Sequence, residues 1–328
     1  MLKRKLILLL TCLVALLLLP PLAYVIDETY LISSMSRVLI FAMAAISLDL
    51  IVGYGAMVSF GHAAFVGLGA YTAAILSFHY HDDSPLLTLP FLFDGSNHLL
   101  VVIPLAMIIA GLVALLTGMI NLRTHGIHFI MITLAFAQML FFLFVSLDYY
   151  GGEDGLIMYA RNEVPLIDTG DDTAFYYLSL LLLVGFVIGA RRLVNSRFGR
   201  VLQGCKQNEV RMQALGFNTY RYRLTAFVIS AMAAAVAGVM LANKTEFVDP
   251  GLFSWHLSGE LLVMIILGGL GSIYGAVIGA FAYLVLEQVF SAYTEHWMVL
   301  LGPFLIIVVI FARRGIFGLL HKRFFANA

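Results

Sequence analysis

The segment Arg191–Arg223, RRLVNSRFGRVLQGCKQNEVRMQALGFNTYRYR, carries eight Lys/Arg and a single acid, Glu209, inside an otherwise apolar chain. Asn208 stands where it can cap a short helix and Gly216 where it can end one, which predicts about two turns over Glu209–Leu215. A capped helix on a basic loop between apolar stretches suits the docking of a soluble partner.

The flanking composition decides what kind of loop this is. Of 328 residues, 62% are hydrophobic and 12% charged, against roughly 45–50% and 25% in soluble domains. A polytopic all-α membrane protein fits, and a soluble fold does not. The zero net charge gives no reason to expect nucleic acid. Cys12 and Cys205 build neither a disulfide framework nor a CxxC metal site. Lys3-Arg4-Lys5 and Leu6–Leu19 resemble the start of a signal peptide. Pro20-Pro21 stands where a cleavage site belongs, so the segment reads as a retained first helix.

A span needs about 20 apolar residues. The candidates are Leu6–Val25, Ser36–Met57, Val58–Phe78, Leu99–Leu122, Ile127–Val145, Ala174–Ala190, Leu224–Asn243, Ser258–Leu270, Ile273–Phe290 and Trp297–Phe311. About ten helices are predicted, with eight to ten as the range, in one domain over residues 1–328. With a cytoplasmic N-terminus, Arg123, the basic loop (195–223 at its core) and Arg313, Arg314, Lys322 and Arg323 fall inside, as the positive-inside rule requires. Asp27, Glu28, Asp82, Asp83 and Asp94 fall outside, with the acidic loop 147–173. Arg37, Arg161 and Lys244 are exceptions to the pattern.

Two regions resist a plain helical reading. Residues 53–62 hold three glycines in a row of ten, GYGAMVSFGH, and residues 268–272 hold Gly268-Gly269-Leu270-Gly271. Ser258–Leu270 is also too short to cross alone. Backbone breaks at membrane depth are tolerated only where protein buries them or water lines them, and transporters form substrate sites at such breaks. Asp49, Ser59, Phe60, Gly61, His62, Phe65, Met131, Thr133 and Gln138 are therefore candidates for a translocation path. Asp49 and His62 equally suit bracing the break, and Glu260 and Glu287 suit headgroup positions near helix ends. Gly271, Gly275 and Gly279 form a small-xxx-small ridge for helix packing, with Ala234 and Gly238 offering another.

The enzymatic readings lack their motifs. Ser59 and His62 have no GxSxG elbow around them, HExxH is absent, and no GxxxxGK[ST] loop exists to hold a nucleotide. His79-Tyr80-His81-Asp82-Asp83 suits either a metal or a solvated loop. His125 and His128 read as interfacial. Gly151, Gly152, Glu153 and Asp154 make either an ordinary turn or a rim where an extracytoplasmic protein docks.

Five blocks in order resemble one family, the LivM-type permeases of branched-chain amino acid ABC importers. They are Gly53–Leu76, Gly126–Leu140, Gly151–Leu156, Ser196–Leu241, and Asp249–Trp255 with Ser258–Ala280, and the resemblance runs over roughly residues 36–315. It implies a bacterial inner-membrane subunit with both termini cytoplasmic. Its partners would be a LivH-like permease, two LivG/LivF-like ATPase subunits that use ATP and Mg, and a periplasmic binding protein, with no cofactor on this chain. It also implies that Glu209–Gly216 is an EAA-type coupling helix. The usual Glu-Ala-Ala is altered to Glu209-Val210-Arg211, while Ala214-Leu215-Gly216 is retained. On this reading Asn208 caps the helix, Glu209 and Arg211 make polar contacts to an ATPase, and Met212 and Leu215 fill its groove. Related permeases carry urea or short amides, and an ion-coupled secondary transporter is a further alternative.

Overall fold

The computed structural model describes residues 2–82, 95–165, 167–294, 296–311 and 315–318. Asp83, Asp94, Arg313, Arg314, Lys322 and Arg323, all used in the charge pattern, lie outside them. The apolar runs form α1 (Leu2–Ile26), α2 (Tyr30–Val52), α3 (Ala63–His81), α4 (Leu99–Asn121), α5 (Ile127–Val145) and α6 (Asp172–Asn195). Two helices of the basic loop follow, α7 (Arg197–Gln207) and α8 (Glu209–Ala214). The chain continues with α9 (Thr219–Thr245), α10 (Trp255–Gly268), α11 (Ile273–Tyr293) and α12 (Trp297–Phe311). Strands β1 (Leu156–Ile157) and β2 (Phe247–Val248) pair antiparallel.

Seven of the described helices, α2 to α6, α9 and α11, are long and apolar enough to cross a membrane, and α1, α10 and α12 add shorter apolar runs. The chain is an all-α multi-pass membrane protein; seven described helices meet the length of a span, and reaching the expected eight to ten requires the shorter ones. The sequence places a boundary between the second and third spans at Met57/Val58. In the structure α2 stops at Val52 and α3 starts at Ala63. The ten residues between are irregular because Gly53 and Gly55 weaken the helix and Ala56 turns left-handed at φ 54°. α10 rises only about 21 Å at 1.5 Å per residue. A 3-10 turn, Pro250–Phe253, leads into it. Phe253, fully buried, stacks on Phe144 with ring centroids 4.6 Å apart.

α2, α3 and α9 form the centre. In the most apolar window of each, 89%, 83% and 67% of residues are buried, against 33%, 22% and 28% for α4, α5 and α6, so these last three turn broad faces outward. Glycine lets the central helices touch through their backbones. A Cβ on Gly238 would stand 1.9 Å from the Val66 carbonyl oxygen, and one on Gly69 would stand 2.0 Å from that of Ala235. The predicted ridge on α11 splits. Gly275 and Gly279 pack against α10, where a Cβ on Gly279 would meet the Met264 carbonyl at 1.9 Å. Gly271 sits in the turn before α11, at φ 75°.

Pro20 and Pro21 lie inside α1. Each lacks the N–H that would serve the carbonyl four residues earlier. The hydroxyls of Tyr176 and Tyr177 on α6 donate to those two carbonyls, Leu16 at 2.8 Å and Leu17 at 3.2 Å. α1 is thereby fastened to α6.

The three charge exceptions have local partners. Arg37 pairs with Glu287 at 3.1 Å. Lys244 donates to Ser33 Oγ at 2.5 Å. Arg161 meets Asp172 at 2.7 Å and Glu246 at 3.0 Å, with its guanidinium over the Phe175 ring.

Candidate functional site

At the basic end of the bundle, α7 and α8 form a small helical unit. Ser196 Oγ accepts from Gly199 N at 3.2 Å and starts α7. Asn208 Oδ1 accepts from Arg211 N at 2.9 Å and starts α8, and Gly216 ends it at φ 87°. Sequence reading missed α7, although Phe198, Val201, Leu202 and Cys205 recur at helical spacing. Val201, Leu202 and Cys205 are buried, and Phe198 stacks on Tyr222. Burial pushes the Cys205 thiol up, which fits a packing residue rather than a nucleophile.

Two of the residues expected to face an ATPase turn inward instead. Glu209 accepts from Thr219 Oγ1 at 3.0 Å and pairs with Arg223 at 2.9 Å, with His125 at 3.6 Å. Arg223 is held there because the first turn of α9 runs beneath α8. His125, expected at the interface, is thus an arm of the same cluster. Met212 lies over Gly204 of α7, where a Cβ would approach its Sδ to 2.7 Å. The outward surface consists of Val210, 75% exposed, and Leu215, 64% exposed, with Arg211 and Ala214 beside them. Val210, which the sequence reading did not single out, is more exposed than Leu215. Its position one residue after the inward Glu209 is the signal that places it outside.

Directly above this unit the two helix breaks meet. Asp49, 1% exposed near the end of α2, accepts from Gly271 N at 2.8 Å through Oδ1. Gly53 closes the same junction, where a Cβ would lie 2.5 Å from Gly271 N. From below, Lys206 Nζ of α7 donates to the Gly53 carbonyl at 2.5 Å. His62 pairs with Ser47 Oγ at 2.9 Å, not with Ser59. Ser258 Oγ accepts from Ala63 N at 3.0 Å and caps the start of α3 across the break.

Four of the path candidates line one cavity: Ser59, Gly61, Phe65 and Thr133. Thr117 and Asn121 of α4 complete its polar wall, and neither was picked out from sequence. Asn121 Oδ1 is buried without a hydrogen-bond partner among the described residues. Gly61 is obligatory there, since a Cβ would stand 2.2 Å from the Thr133 carbonyl oxygen. Asp49 and His62 lie outside the cavity lining, Phe60 and Gln138 are half-buried, and Met131 is 62% exposed on the outer side of α5.

The acidic end is a folded cap. Gly151, Gly152 and Gly155 all take positive φ, so these glycines are explained by the turn itself. Gly152 is buried, while Glu153 and Asp154 are exposed. His79 pairs with Tyr150 at 2.9 Å, and His81 Nδ1 lies 2.8 Å from the Ser77 carbonyl, so both histidines of the metal reading have protein partners. A buried chain of amides fastens the loop, Asn243 to Asn162 at 2.8 Å and Asn162 to Asn97 at 2.9 Å.

A family model described as the branched-chain amino acid transport system permease component matches residues 30–310. The high-affinity branched-chain amino acid transport system permease protein LivM of Salmonella typhimurium is 27% identical over 304 residues, covering 85% of this chain and 68% of the relative. The probable LivM permease of Methanocaldococcus jannaschii is 23% identical over 81% of this chain and 83% of its own. The LivH permease of Escherichia coli is 36% identical over 126 residues, 38% of this chain and 40% of its own. No solved structure matches. With ten apolar helices, two facing helix breaks and a match over most of its length, the chain belongs to the permease-component family of branched-chain amino acid transport systems.

Proposed function

We propose that this chain is one permease subunit of an ATP-driven importer that moves leucine, isoleucine and valine across the bacterial inner membrane, with its basic end and both termini cytoplasmic. The observation that carries this reading is α8. A six-residue helix capped at both ends holds Glu209 and Met212 inward and presents Val210, Arg211, Ala214 and Leu215 to the outside. The apolar side chains of Val210 and Leu215 on an otherwise basic surface suit a protein cover, and an ATPase subunit is the partner that ATP-driven transport would require. The chain itself has no phosphate-binding loop, so ATP and Mg belong to that partner. A second permease subunit would cover part of the outward faces of α4, α5 and α6. A binding protein would deliver substrate at the acidic end, with Glu153 and Asp154 on its rim. The cavity of Ser59, Thr117, Asn121 and Thr133, walled by Phe65 and Phe227, is about one water in size here and would open during the cycle to pass an amino acid.

The test is uptake by proteoliposomes holding both permeases, the ATPases and the binding protein. Radiolabelled leucine should accumulate only with ATP, and urea should not. Val210→Asp with Leu215→Asp should leave the permease folded but release the ATPase subunits on co-purification. Urea uptake in place of leucine would overturn the substrate, and retained ATPase subunits would overturn the docking helix.

A further inference from the structure

The cytoplasmic unit and the helix breaks are joined by one side chain. Lys206 lies in the last turn of α7, two residues before the Asn208 cap of α8. Its ammonium reaches the Gly53 carbonyl at 2.5 Å, at the first residue past α2. That carbonyl sits where the helical ladder stops, so a donor from elsewhere is what satisfies it. Asp49, one turn earlier, holds the Gly271 N–H of the second break at 2.8 Å. Its other oxygen, Oδ2, is buried without a hydrogen-bond partner among the described residues.

The same path is stiff at its lower end. Met212 of α8 rests on Gly204 of α7, and Asn208 ends α7 and starts α8 with no linker between them. A push on α8 therefore moves the last turn of α7, which carries Lys206. At the upper end the junction admits no slack, since a Cβ on Gly53 would lie 2.1 Å from Asp49 Oδ1 and 2.5 Å from Gly271 N. The two breaks are thus in close contact through Gly53 and Gly271.

We propose that Lys206 is the positioning residue through which movement of α8 reaches both helix breaks, with Asp49 carrying it from the first break to the second. This rests on α8 docking an ATPase and adds the route by which that docking reaches the membrane. Coupling requires an element whose two positions are biased by the partner. Here the element is the Gly53–Gly271 junction, and the Lys206 bond is its handle. Other cations on this surface serve other duties. Arg223 is committed to Glu209, and Arg211 faces outward.

The experiment uses the complete complex in liposomes, with Cys12 and Cys205 replaced by Ala. One spin-label pair, Gln213→Cys with Ile120→Cys, reads α8 against α4 from an exposed α8 residue outside the proposed docking pair. The other, Leu270→Cys with Ile120→Cys, reads the second break against the same reference. ATP with vanadate should shift both distances when Lys206 is present. With Lys206→Met, which keeps the stem and removes the donor, the α8 distance should still shift while the Leu270 distance stays fixed. Leucine uptake per ATP hydrolysed should then fall roughly tenfold, a coupling effect of ordinary size. Asp49→Asn, which keeps the Oδ1 acceptor, should preserve the Leu270 shift, and Asp49→Ala should lose it. A Leu270 shift that persists in Lys206→Met overturns the proposal. So does loss of both shifts together, which would make Lys206 a residue of docking or assembly. An α8 distance that ignores nucleotide in the unsubstituted complex would instead bring down the ATPase reading, and this proposal with it.

Discussion

Tyr176→Phe tests whether the proline pair in α1 is satisfied as the geometry indicates. The ring of Tyr176 is fully buried and its hydroxyl donates to the Leu16 carbonyl at 2.8 Å. Pro20, four residues on, has no hydrogen to give that carbonyl. The phenylalanine keeps the packing and removes only the donor, so the Leu16 carbonyl is left stranded in apolar surroundings at a cost of about 1–3 kcal/mol. Pro20→Ala restores a helical N–H to the same carbonyl. In that background Tyr176→Phe removes a redundant donor and should cost well under about 1 kcal/mol. The double-mutant cycle should therefore show a coupling of about 1–2 kcal/mol between two different helices. Thermal denaturation of all four variants in one detergent reads it directly. At a few degrees per kcal/mol for a chain of this size, Tyr176→Phe should lower Tm by several degrees with Pro20 present and by little with Pro20→Ala. An equal loss in both backgrounds would refute the pairing, because the hydroxyl would then be serving something other than the carbonyl that proline frees.

Two further substitutions probe the packing and the cap. Gly238→Ala places a methyl 1.9 Å from the Val66 carbonyl oxygen, a backbone atom that cannot step aside, so overpacking of about 1–3 kcal/mol should outweigh the gain of up to about 1 kcal/mol in helix propensity. Gly189→Ala on α6 meets nothing within 4 Å and should be neutral or slightly stabilising; a matching loss of Tm at both sites would show that α3 and α9 are not in backbone contact. Asn208→Ala removes the α8 cap at a cost of about 1 kcal/mol. Amide exchange over residues 209–214 should accelerate while α9 is unchanged, and unchanged exchange in α8 would mean that its packing alone holds it.

The helices were legible because lipid enforces long apolar runs, and the sign of the loop charges ordered them. The breaks were legible as glycine clusters, but their exact limits were not. Val58, Ser59 and Phe60 read as the start of a span, yet the left-handed turn at Ala56 carries them through as irregular chain. The short helix α8 was visible from its caps. Its outward face was not, since that depends on Arg223 and Thr219, which lie on the next helix and draw Glu209 inward. Of the cavity, sequence supplied the residues beside the break. Thr117 and Asn121 were hidden in an unremarkable apolar helix, because nothing in the run of α4 says which of its faces meets residues 59–65.

Asp49 bears on how transport is powered. An ion-coupled carrier, the further alternative of the sequence reading, would need an acid within the bundle such as Asp49 or Glu260. A proton-coupling carboxylate has to exchange with water during the cycle, and Asp49 is 1% exposed with one oxygen engaged by the Gly271 N–H. Its position is set by a different need. Two helices stop within the bundle, each break leaves backbone groups without a helical partner, and Asp49 and Lys206 serve one such group at each break. An ionisable residue in the membrane thus has a structural duty that accounts for both its burial and its partner. That leaves α8, with Val210 and Leu215 exposed at 75% and 64%, as the end from which the proposed importer would be driven.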